Sequence, residues 1–164
     1  MTEPRVYLIA AVDHNNLIGR ENRMPWNIRE DLRRFRAITL GHTIVMGKNT
    51  WLSLGRTLDG RVNVILSRDR ELAVPGAIVC HSVSECLQHC AGDECFVIGG
   101  AQIFKLFLPL ASKLFLTRID AEFEGDTYFP EINPDDWELT SFEAISSETG
   151  FNLTFTEYRR CRKP

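Results

Sequence analysis

The chain has 164 residues, 44% hydrophobic and 25% charged, which allows one domain with a substantial core and leaves little room for a second. Its formal net charge is −3 and it lacks a long basic run, so composition gives no electrostatic reason to expect nucleic-acid binding. The apolar run at residues 6–12 lacks a signal-peptide pattern, and no later run approaches the roughly 18 apolar residues of a membrane span. We therefore expect a cytoplasmic enzyme or binding protein without a membrane partner.

The cysteines indicate reduced thiols. Their number is odd and no signal peptide is recognisable, which argues against a disulfide framework. The five are Cys80, Cys86, Cys90, Cys95 and Cys161. His81 and His89 lie among them, but there is no C-x-x-C pair and the spacing departs from zinc-ligand patterns. We expect small core residues and assign no metal ligand, with zinc binding as the alternative.

Short apolar strands and short helices alternate along the chain. Strands are predicted at residues 6–12, 43–46, 62–66, 77–80, 95–98, 114–119, 137–144 and 153–160. Helices are predicted from within 24–35 to about 40, from 47–50 to about 54, at 82–90 and at 101–108, with loops at 13–27 and 120–130. Such alternation implies right-handed crossovers and a mostly parallel sheet. The sequence predicts a single α/β domain with an eight-stranded, mostly parallel central sheet, an antiparallel C-terminal strand, and four helices on both faces.

The first predicted helix carries a carboxylate on its apolar face. Residues 24–35 read MPWNIREDLRRF, and Ile28, Leu32, Phe35 and Ile38 form one predicted buried stripe. At about 100° per residue, Asp31 falls inside that stripe, and no basic residue one turn away shares the face. The helix's four arginines are predicted to face water: Arg29, Arg33, Arg34 and Arg36. An unpaired carboxylate there would be costly, which indicates a site, although an interaction with the helix N-terminus or a structural network remains open.

Three predicted strands end in residues suited to phosphate. Two of the segments open helices, and the third adds a hydroxyl and a guanidinium. They are Gly47-Lys48-Asn49-Thr50, Gly99-Gly100-Ala101-Gln102 and Ser67-Arg68. Each alone is weak, because a glycine pair at a strand end is usually a turn, and no G-x-G-x-x-G follows the first strand. Together they favour a dinucleotide with an extra phosphate.

Together with their neighbours in sequence, these residues match the pattern of a known protein family. It resembles bacterial dihydrofolate reductases over essentially its whole length, as one dihydrofolate reductase domain at 1–164. The matching segments, in the family's order and spacing, are LIAAVDHNNLIG, MPWNIREDL, IVMGKNTWLSLGR, VILSR, VIGGAQIF and LTRIDAEFEGDTYFP. The resemblance implies NADPH-dependent reduction of 7,8-dihydrofolate to tetrahydrofolate, which supplies one-carbon metabolism and thymidylate, purine and glycine synthesis. It also implies a monomer that binds antifolates such as trimethoprim and methotrexate.

The resemblance also implies roles for single residues. Asp31 matches the carboxylate that holds the pterin, Thr117 its supporting hydroxyl, Trp26 the aromatic that positions a water, and Met24 the place where solvent enters. Residues 15–26 match a lid over the nicotinamide, which Gly125-Asp126-Thr127 braces.

Larger sets match the two ligand pockets. The implied substrate-binding residues are Ile9, Ala10, Asp31, Leu32, Phe35, Leu54, Leu58, Arg61 and Thr117. The implied cofactor-binding residues are Ala11, Ile18, Gly19, Gly47, Lys48, Asn49, Thr50, Leu66, Ser67, Arg68, Ile98, Gly99, Gly100, Ala101, Gln102, Ile103 and Phe104. Within these sets Arg61 matches the holder of the glutamate carboxylate, Ser67 and Arg68 the 2′-phosphate pocket, and Gly99-Gly100 a cis peptide bond.

Three positions depart from common family members, and two other functions remain open. Arg29 stands where many have proline, Lys48 where arginine is frequent, and Phe104 where tyrosine is frequent. A pyrimidine reductase of riboflavin synthesis shares the fold and cofactor but needs neither Trp26 nor Asp31 at this spacing. A catalytically silent nucleotide- or folate-binding module usually loses the site carboxylate, which this chain retains.

Overall fold

Apolar runs and their turn residues produce ten strands and four α-helices in the part of the chain that the computed structural model describes, residues 4–20, 24–90 and 94–161. The strands are β1 Arg5–Val12, β2 Leu17–Gly19, β3 Thr43–Gly47, β4 Val62–Leu66, β5 Ala77–Cys80, β6 Glu94–Gly99, β7 Lys113–Ile119, β8 Thr127–Tyr128, β9 Trp137–Ser146 and β10 Asn152–Arg160. The helices are α1 Arg29–Thr39, α2 Lys48–Leu54, α3 Val83–His89 and α4 Ala101–Phe107, and a 3₁₀ turn, Leu108–Leu110, follows α4.

Eight of these strands form one sheet in the order β5-β4-β3-β6-β1-β7-β10-β9. All pairs from β5 to β7 are parallel, and β10 is antiparallel to both β7 and β9. The predicted sheet, its eight strands and its antiparallel C-terminal strand are therefore confirmed. Because the first strands are parallel, their carboxyl ends meet at one edge, where ligands of open α/β sheets bind.

The alternation of β1 divides the core into two faces. Val6 and Leu8 pack in one buried cluster together with residues of α3 and α4, such as Phe107. Tyr7 and Ile9 point the other way, into a cluster covered by residues of α1 and α2. We name these the α3/α4 face and the α1/α2 face.

The predicted role of the cysteines as core residues fits the α3/α4 face. Four of them are fully buried there: Cys80, Cys86, Cys90 and Cys95. Ser82 caps α3, accepting a hydrogen bond from the Glu85 amide at 3.1 Å. In the described residues no group of three His, Cys, Asp or Glu side chains is arranged to hold a metal. No helix there is long and apolar enough to cross a membrane.

The two predicted loops contain a small second sheet. Strand β2 lies within the predicted loop 13–27 and pairs antiparallel with β8, which lies within the predicted loop 120–130. The Asp126 amide also donates to the Gly19 carbonyl at 3.1 Å. Gly125 has no room for a side chain, because a Cβ would collide with the Gly19 carbonyl oxygen. The segment that the resemblance implies as a brace thus pairs through its backbone with residues 17–19, while residues 21–23 of the predicted lid lie outside the described residues.

Candidate active site

Asp31 lies in the first turn of α1 and faces the sheet. Thr117, in the carboxyl-terminal half of β7, donates its hydroxyl to Asp31 Oδ1 at 2.6 Å. No other described residue donates a hydrogen bond to Asp31, so the second oxygen of its carboxylate remains available to a ligand or water. Thr117 itself is almost fully buried and pairs across the sheet with Ala11 of β1. The resemblance implied this contact between the two side chains, and the structure contains it.

The charge of Asp31 is under opposing influences. Burial raises the pKa of this carboxyl above its ordinary value, while the Thr117 hydrogen bond and the positive charge of Arg34 lower it. The expectation that Arg34 faces water is wrong. Its guanidinium lies against the sheet, with its central carbon 4.6 Å from the centre of the Phe155 ring. The expectation that no basic residue shares the face of Asp31 is wrong for the same reason.

The start of α1 is held by Glu30. Ile28, the N-cap residue, makes no side-chain capping hydrogen bond. Instead, Glu30 reaches the turn between β9 and β10, where it accepts hydrogen bonds of 2.8 Å from the Ser147 hydroxyl and the Glu148 amide. Both bonds lower the pKa of the Glu30 carboxyl, the amide bond more strongly. Sequence reasoning missed this contact because its partners are more than 100 residues away, and no local signal could have indicated it.

Trp26 lies just before α1, with its ring buried. The ring packs against Phe123 at 5.0 Å between centroids, and Phe123 contacts Phe151 at 5.5 Å. The indole nitrogen is buried, yet no described residue accepts its hydrogen. An unpartnered buried N–H is costly, which indicates that water or a ligand completes it. Met24, two residues earlier, is half exposed.

The predicted apolar stripe of α1 is less buried than expected. Ile28 is buried, Phe35 and Ile38 are partly covered, and Leu32 is 43% exposed. The stripe is therefore left open at Leu32, and Leu54 of α2 is also exposed, at 38%. Large apolar side chains left uncovered are typical of surfaces that bind a ligand.

Leu58 and Arg61 are two further residues that the resemblance implies for substrate binding. Leu58 is partly covered by the α1/α2 core and donates its amide to Asn63 at 2.9 Å. Arg61 is fixed by hydrogen bonds to the Asp59 carbonyl at 2.9 Å and the Thr39 hydroxyl at 3.2 Å. Burial lowers the pKa of Arg61, with Arg36 acting in the same direction and Asp59 opposing both.

The phosphate-binding candidates form a second group at the same sheet edge. Strands β3 and β6 are neighbours and pair Met46 with Gly99, so the starts of α2 and α4 lie side by side. Gly99 has φ +145°, and a Cβ added there would lie 3.1 Å from the Thr50 hydroxyl. The bond from Gly99 to Gly100 is cis, as the resemblance implied. The structure thus brings these two segments together, with a glycine surface beside a hydroxyl.

The third candidate segment follows β4. Lys48 Nζ lies 3.4 Å from an oxygen of Asp69, which ties the start of α2 to the loop of Ser67 and Arg68. The Ser67 hydroxyl accepts the Asp69 amide at 3.1 Å, and Arg68 is exposed. Asn49 and Gln102 are exposed as well.

The remaining implied residues lie on strand ends and core positions. Ile9, Ala11, Gly19, Gly47, Leu66 and Phe104 are buried, while Ala10, Ile18, Ile98, Gly100, Ala101 and Ile103 are partly covered. Gly47 faces Ile103, whose Cγ1 would lie 2.9 Å from an added Cβ. The Phe104 ring packs 4.9 Å from that of Phe129, so this departure from tyrosine places an apolar ring in the core.

Both groups of residues lie where the parallel strands end. One offers a carboxylate and exposed apolar side chains, and the other offers backbone, hydroxyls and cations suited to phosphates. Two sites of this chemistry at one sheet edge suit an enzyme that brings a dinucleotide to a second ligand. The fold and site are therefore those expected of a nucleotide-dependent α/β enzyme, the class to which the implied oxidoreductase belongs.

Comparison with known proteins identifies the family within that class. The family description "Dihydrofolate reductase" matches residues 5–160. The dihydrofolate reductase of Bacillus subtilis (strain 168) is 42% identical over 139 residues, covering 84% of this chain and 83% of that protein. A type 3 dihydrofolate reductase from Salmonella typhimurium is 46% identical over 127 residues, covering 77% and 78%.

A solved structure agrees with the sequence comparisons. The dihydrofolate reductase from Enterococcus faecalis, complexed with NADP(H) and RAB-propyl, matches with a TM-score of 0.92 at 30% identity. The match covers 98% of this chain and 99% of that one. The chain belongs to the dihydrofolate reductase family.

Proposed function

We propose that this protein reduces 7,8-dihydrofolate to 5,6,7,8-tetrahydrofolate with NADPH, through Asp31. The observation that carries the proposal is the hydrogen bond from Thr117 to Asp31, a carboxylate on the sheet side of α1. The buried indole N–H of Trp26, five residues earlier, also lacks a partner among the described residues. A buried carboxylate with one protein donor needs a further partner, and the amino-pyrimidine edge of a pterin offers paired donors. The family to which the chain belongs supports the same reaction.

Asp31 holds the substrate and favours its protonation. The hydride goes to carbon 6 of the pterin ring, and the neighbouring nitrogen 5 gains a proton. Asp31 binds the far edge of that ring, so water admitted past the half-exposed Met24 delivers the proton. The negative charge of Asp31 stabilises the protonated ring, Thr117 orients the carboxylate, and Trp26 positions a water near it.

The same face holds the rest of the substrate. Leu32, Phe35, Leu54 and Leu58 enclose the aminobenzoyl ring, and Ile9 and Ala10 lie against the pterin. Arg61 binds the glutamate α-carboxylate through the N–H donors of its guanidinium. Two hydrogen bonds within the protein already hold that guanidinium in place. Antifolates such as methotrexate and trimethoprim occupy this cleft in place of dihydrofolate.

The residues at the strand ends fit NADPH. A Cβ at Gly99 would crowd Thr50, so glycine leaves the surface on which a diphosphate can approach the backbone. Thr50, Lys48 and the helix starts at Gly47 and Gly100 hold the diphosphate, and Ser67 and Arg68 hold the 2′-phosphate. When bound, NADPH supplies the hydride. The remaining proposed contacts are Ala11, Ile18, Gly19, Asn49, Leu66, Ile98, Ala101, Gln102, Ile103 and Phe104.

The lid and the setting of the protein complete the proposal. The described parts of the predicted lid, residues 15–20 and 24–26, lie over the nicotinamide and exclude bulk water, braced by the pairing of β2 with β8. Residues 1–164 act as one domain, as a monomer in the cytoplasm.

An absorbance assay tests the function directly. The purified protein is mixed with NADPH and dihydrofolate, and oxidation of the reduced nicotinamide is followed. We expect oxidation that depends on dihydrofolate and is faster with NADPH than with NADH. Oxidation that requires a ribosylated aminopyrimidine instead would indicate the riboflavin-pathway reductase. Binding of either ligand without oxidation would indicate a silent binding module.

A further inference from the structure

Arg34 is a charged residue for which the proposed reaction has no role yet. It lies three residues after Asp31 in α1 and is about half-buried. Its guanidinium carbon is 4.6 Å from the centre of the Phe155 ring and 6.0 Å from that of Phe115. A guanidinium at this range over an aromatic face is attracted to the ring, so the two phenylalanines hold the charge against the sheet.

The two rings flank the hydroxyl that binds Asp31. Phe155 on β10 is the cross-strand partner of Thr117, and Phe115 precedes Thr117 by two residues on β7. Residues two apart on a strand, and direct cross-strand partners, lie on the same face of a sheet. The Arg34 cation and the Asp31 carboxylate therefore cover one patch of the sheet, with Thr117 between the rings.

Three carboxylates act on the Arg34 cation, and Asp31 acts most strongly. Burial lowers the pKa of the Arg34 guanidinium, while the charges of Asp31, Glu157 of β10 and Glu143 of β9 raise it. Glu157 already pairs with Lys113, at 3.4 Å. Within the described chain no carboxylate is in ion-pair contact with Arg34, so the cation acts on Asp31 through space.

We propose that Arg34 is an electrostatic positioning residue for the reaction, a cation held by Phe155 and Phe115 on the same patch of sheet where Thr117 binds Asp31. This inference rests on the proposed function for its kinetic consequence. Its electrostatic core is independent, because the interaction of the two side chains exists without any ligand.

The sign of the effect follows from charge. A nearby cation disfavours proton uptake, whether the proton goes to Asp31 or to the bound pterin. Removing the cation therefore moves proton uptake by Asp31, or by the bound pterin, to higher pH. Hydride transfer that needs a proton then keeps its rate further into the alkaline range. A loss of packing alone would lower the rate or the stability and leave the pH profile in place.

The test compares variants of neighbouring arginines in the full chain. Arg34→Met removes the charge and keeps an apolar stem, Arg34→Gln is a second neutral variant, and Arg34→Lys keeps the charge. Arg33→Met is the matched control, because Arg33 is exposed and its removal changes the net charge equally. The Asp31 carboxyl is titrated by carbon NMR in the ligand-free protein, and single-turnover hydride transfer is measured against pH.

We expect both neutral Arg34 variants to titrate Asp31 at higher pH than the wild type. We also expect hydride transfer at alkaline pH to be faster than in the wild type, because the midpoint of the pH profile should move to higher pH. Arg34→Lys and Arg33→Met should follow the wild type. Coinciding titrations of Arg34→Met and Arg33→Met, or an equal displacement in Arg34→Lys, would overturn the inference. If the protein proved inactive towards dihydrofolate, the NMR titration alone would still decide it.

Discussion

The two faces of the sheet are covered by helices of similar kind but are packed very differently. On the α3/α4 face, Cys86, Phe104 and Phe107 project from their helices into the core and are fully buried. On the α1/α2 face, α1 has one fully buried residue, Thr39, and α2 has none. Two buried indole nitrogens lack an acceptor in the described structure. That of Trp51 belongs to the cluster of the α1/α2 face, and that of Trp26 to a neighbouring cluster with Ile28.

The difference separates what stabilises the fold from what binds ligands. A filled core loses free energy of unfolding when atoms are removed, because cavities are costly. An open face retains exposed apolar and unpaired polar groups whose missing partners are supplied by ligands. We therefore expect substitutions on the α3/α4 face to affect stability, and those on the α1/α2 face to affect turnover and binding.

Asp31→Asn should show the largest difference between an effect on turnover and an effect on stability. We expect turnover at neutral pH to fall by roughly 10²- to 10⁴-fold, the usual range for a lost acid–base group. Part of the activity should return as falling pH protonates the substrate. The fold should survive, because the Asn oxygen can still accept the Thr117 hydroxyl.

The stability of Asp31→Asn has a defined pH dependence. Burial raises the pKa of Asp31, so its ionised form destabilises the folded state at pH values above that raised pKa. The Asn variant should therefore unfold at equal or higher urea concentration than the wild type at neutral pH. This advantage should shrink as pH falls through the raised pKa of Asp31. An Asn variant that fails to fold would show that Asp31 is primarily structural.

Phe107→Ala should produce the opposite pattern. Phe107 is fully buried on the α3/α4 face, and such truncations cost about 3–5 kcal/mol of unfolding free energy. Urea denaturation should detect the loss, while kcat and KM of the folded protein should change little. Leu106→Ala is the matched control. The Leu106 side chain is exposed, so its truncation should lower the free energy of unfolding by less than about 0.5 kcal/mol. A Phe107 variant with normal stability and impaired turnover would break the comparison of the faces.

Arg61→Leu should affect one class of inhibitor. A hydrogen bond to a charged group contributes about 1.5–3 kcal/mol, so methotrexate affinity should fall by roughly 10- to 100-fold. Trimethoprim-like inhibitors lack the glutamate tail and should bind nearly as well as before. Arg56→Leu changes an exposed arginine five residues earlier and should alter neither affinity. Comparable losses for both inhibitors, measured by titration, would count against the role of Arg61.

The sequence predicted what depends on local pattern. The continuous apolar run at residues 6–12 predicted a buried strand, and the structure places Val6 and Leu8 on one face of the sheet and Tyr7 and Ile9 on the other. Glycine positions at the strand ends, together with the resemblance, predicted the segments that the structure brings together around Gly99. The short strands β2 and β8 were missed because three and two residues are too few to show a period.

Contacts of long side chains could not be predicted from helical periodicity. Helical periodicity places the Cα of Arg34 on the side of α1 that turns away from the core. The flexible side chain nevertheless brings the charge back to the sheet, where it contacts Phe155, a residue distant in sequence. Exposure of Leu32 was also missed, because an apolar stripe looks alike whether it faces core or cleft. Periodicity gives the face of a helix, and tertiary structure decides what covers that face.

Glu30→Gln should have the smallest effect, because Glu30 lies at the surface, where paired charges contribute little. The change keeps the shape of the side chain and removes the charge that accepts from Ser147 and the Glu148 amide. The pKa of Glu30 is lowered in the folded state, so its stabilising contribution is present above the unfolded-state pKa. That contribution is lost as pH falls through the folded-state pKa.

Urea unfolding of wild type and Glu30→Gln should therefore differ at neutral pH and converge in acid. Glu131→Gln, an exposed carboxylate outside the helices, is the control and should not change the pH dependence. Parallel curves for Glu30→Gln and wild type would mean that the contact does not hold α1. Convergence would show that polar contacts to the β9–β10 turn anchor α1, so that its exposed apolar residue Leu32 is not needed to hold the helix in place.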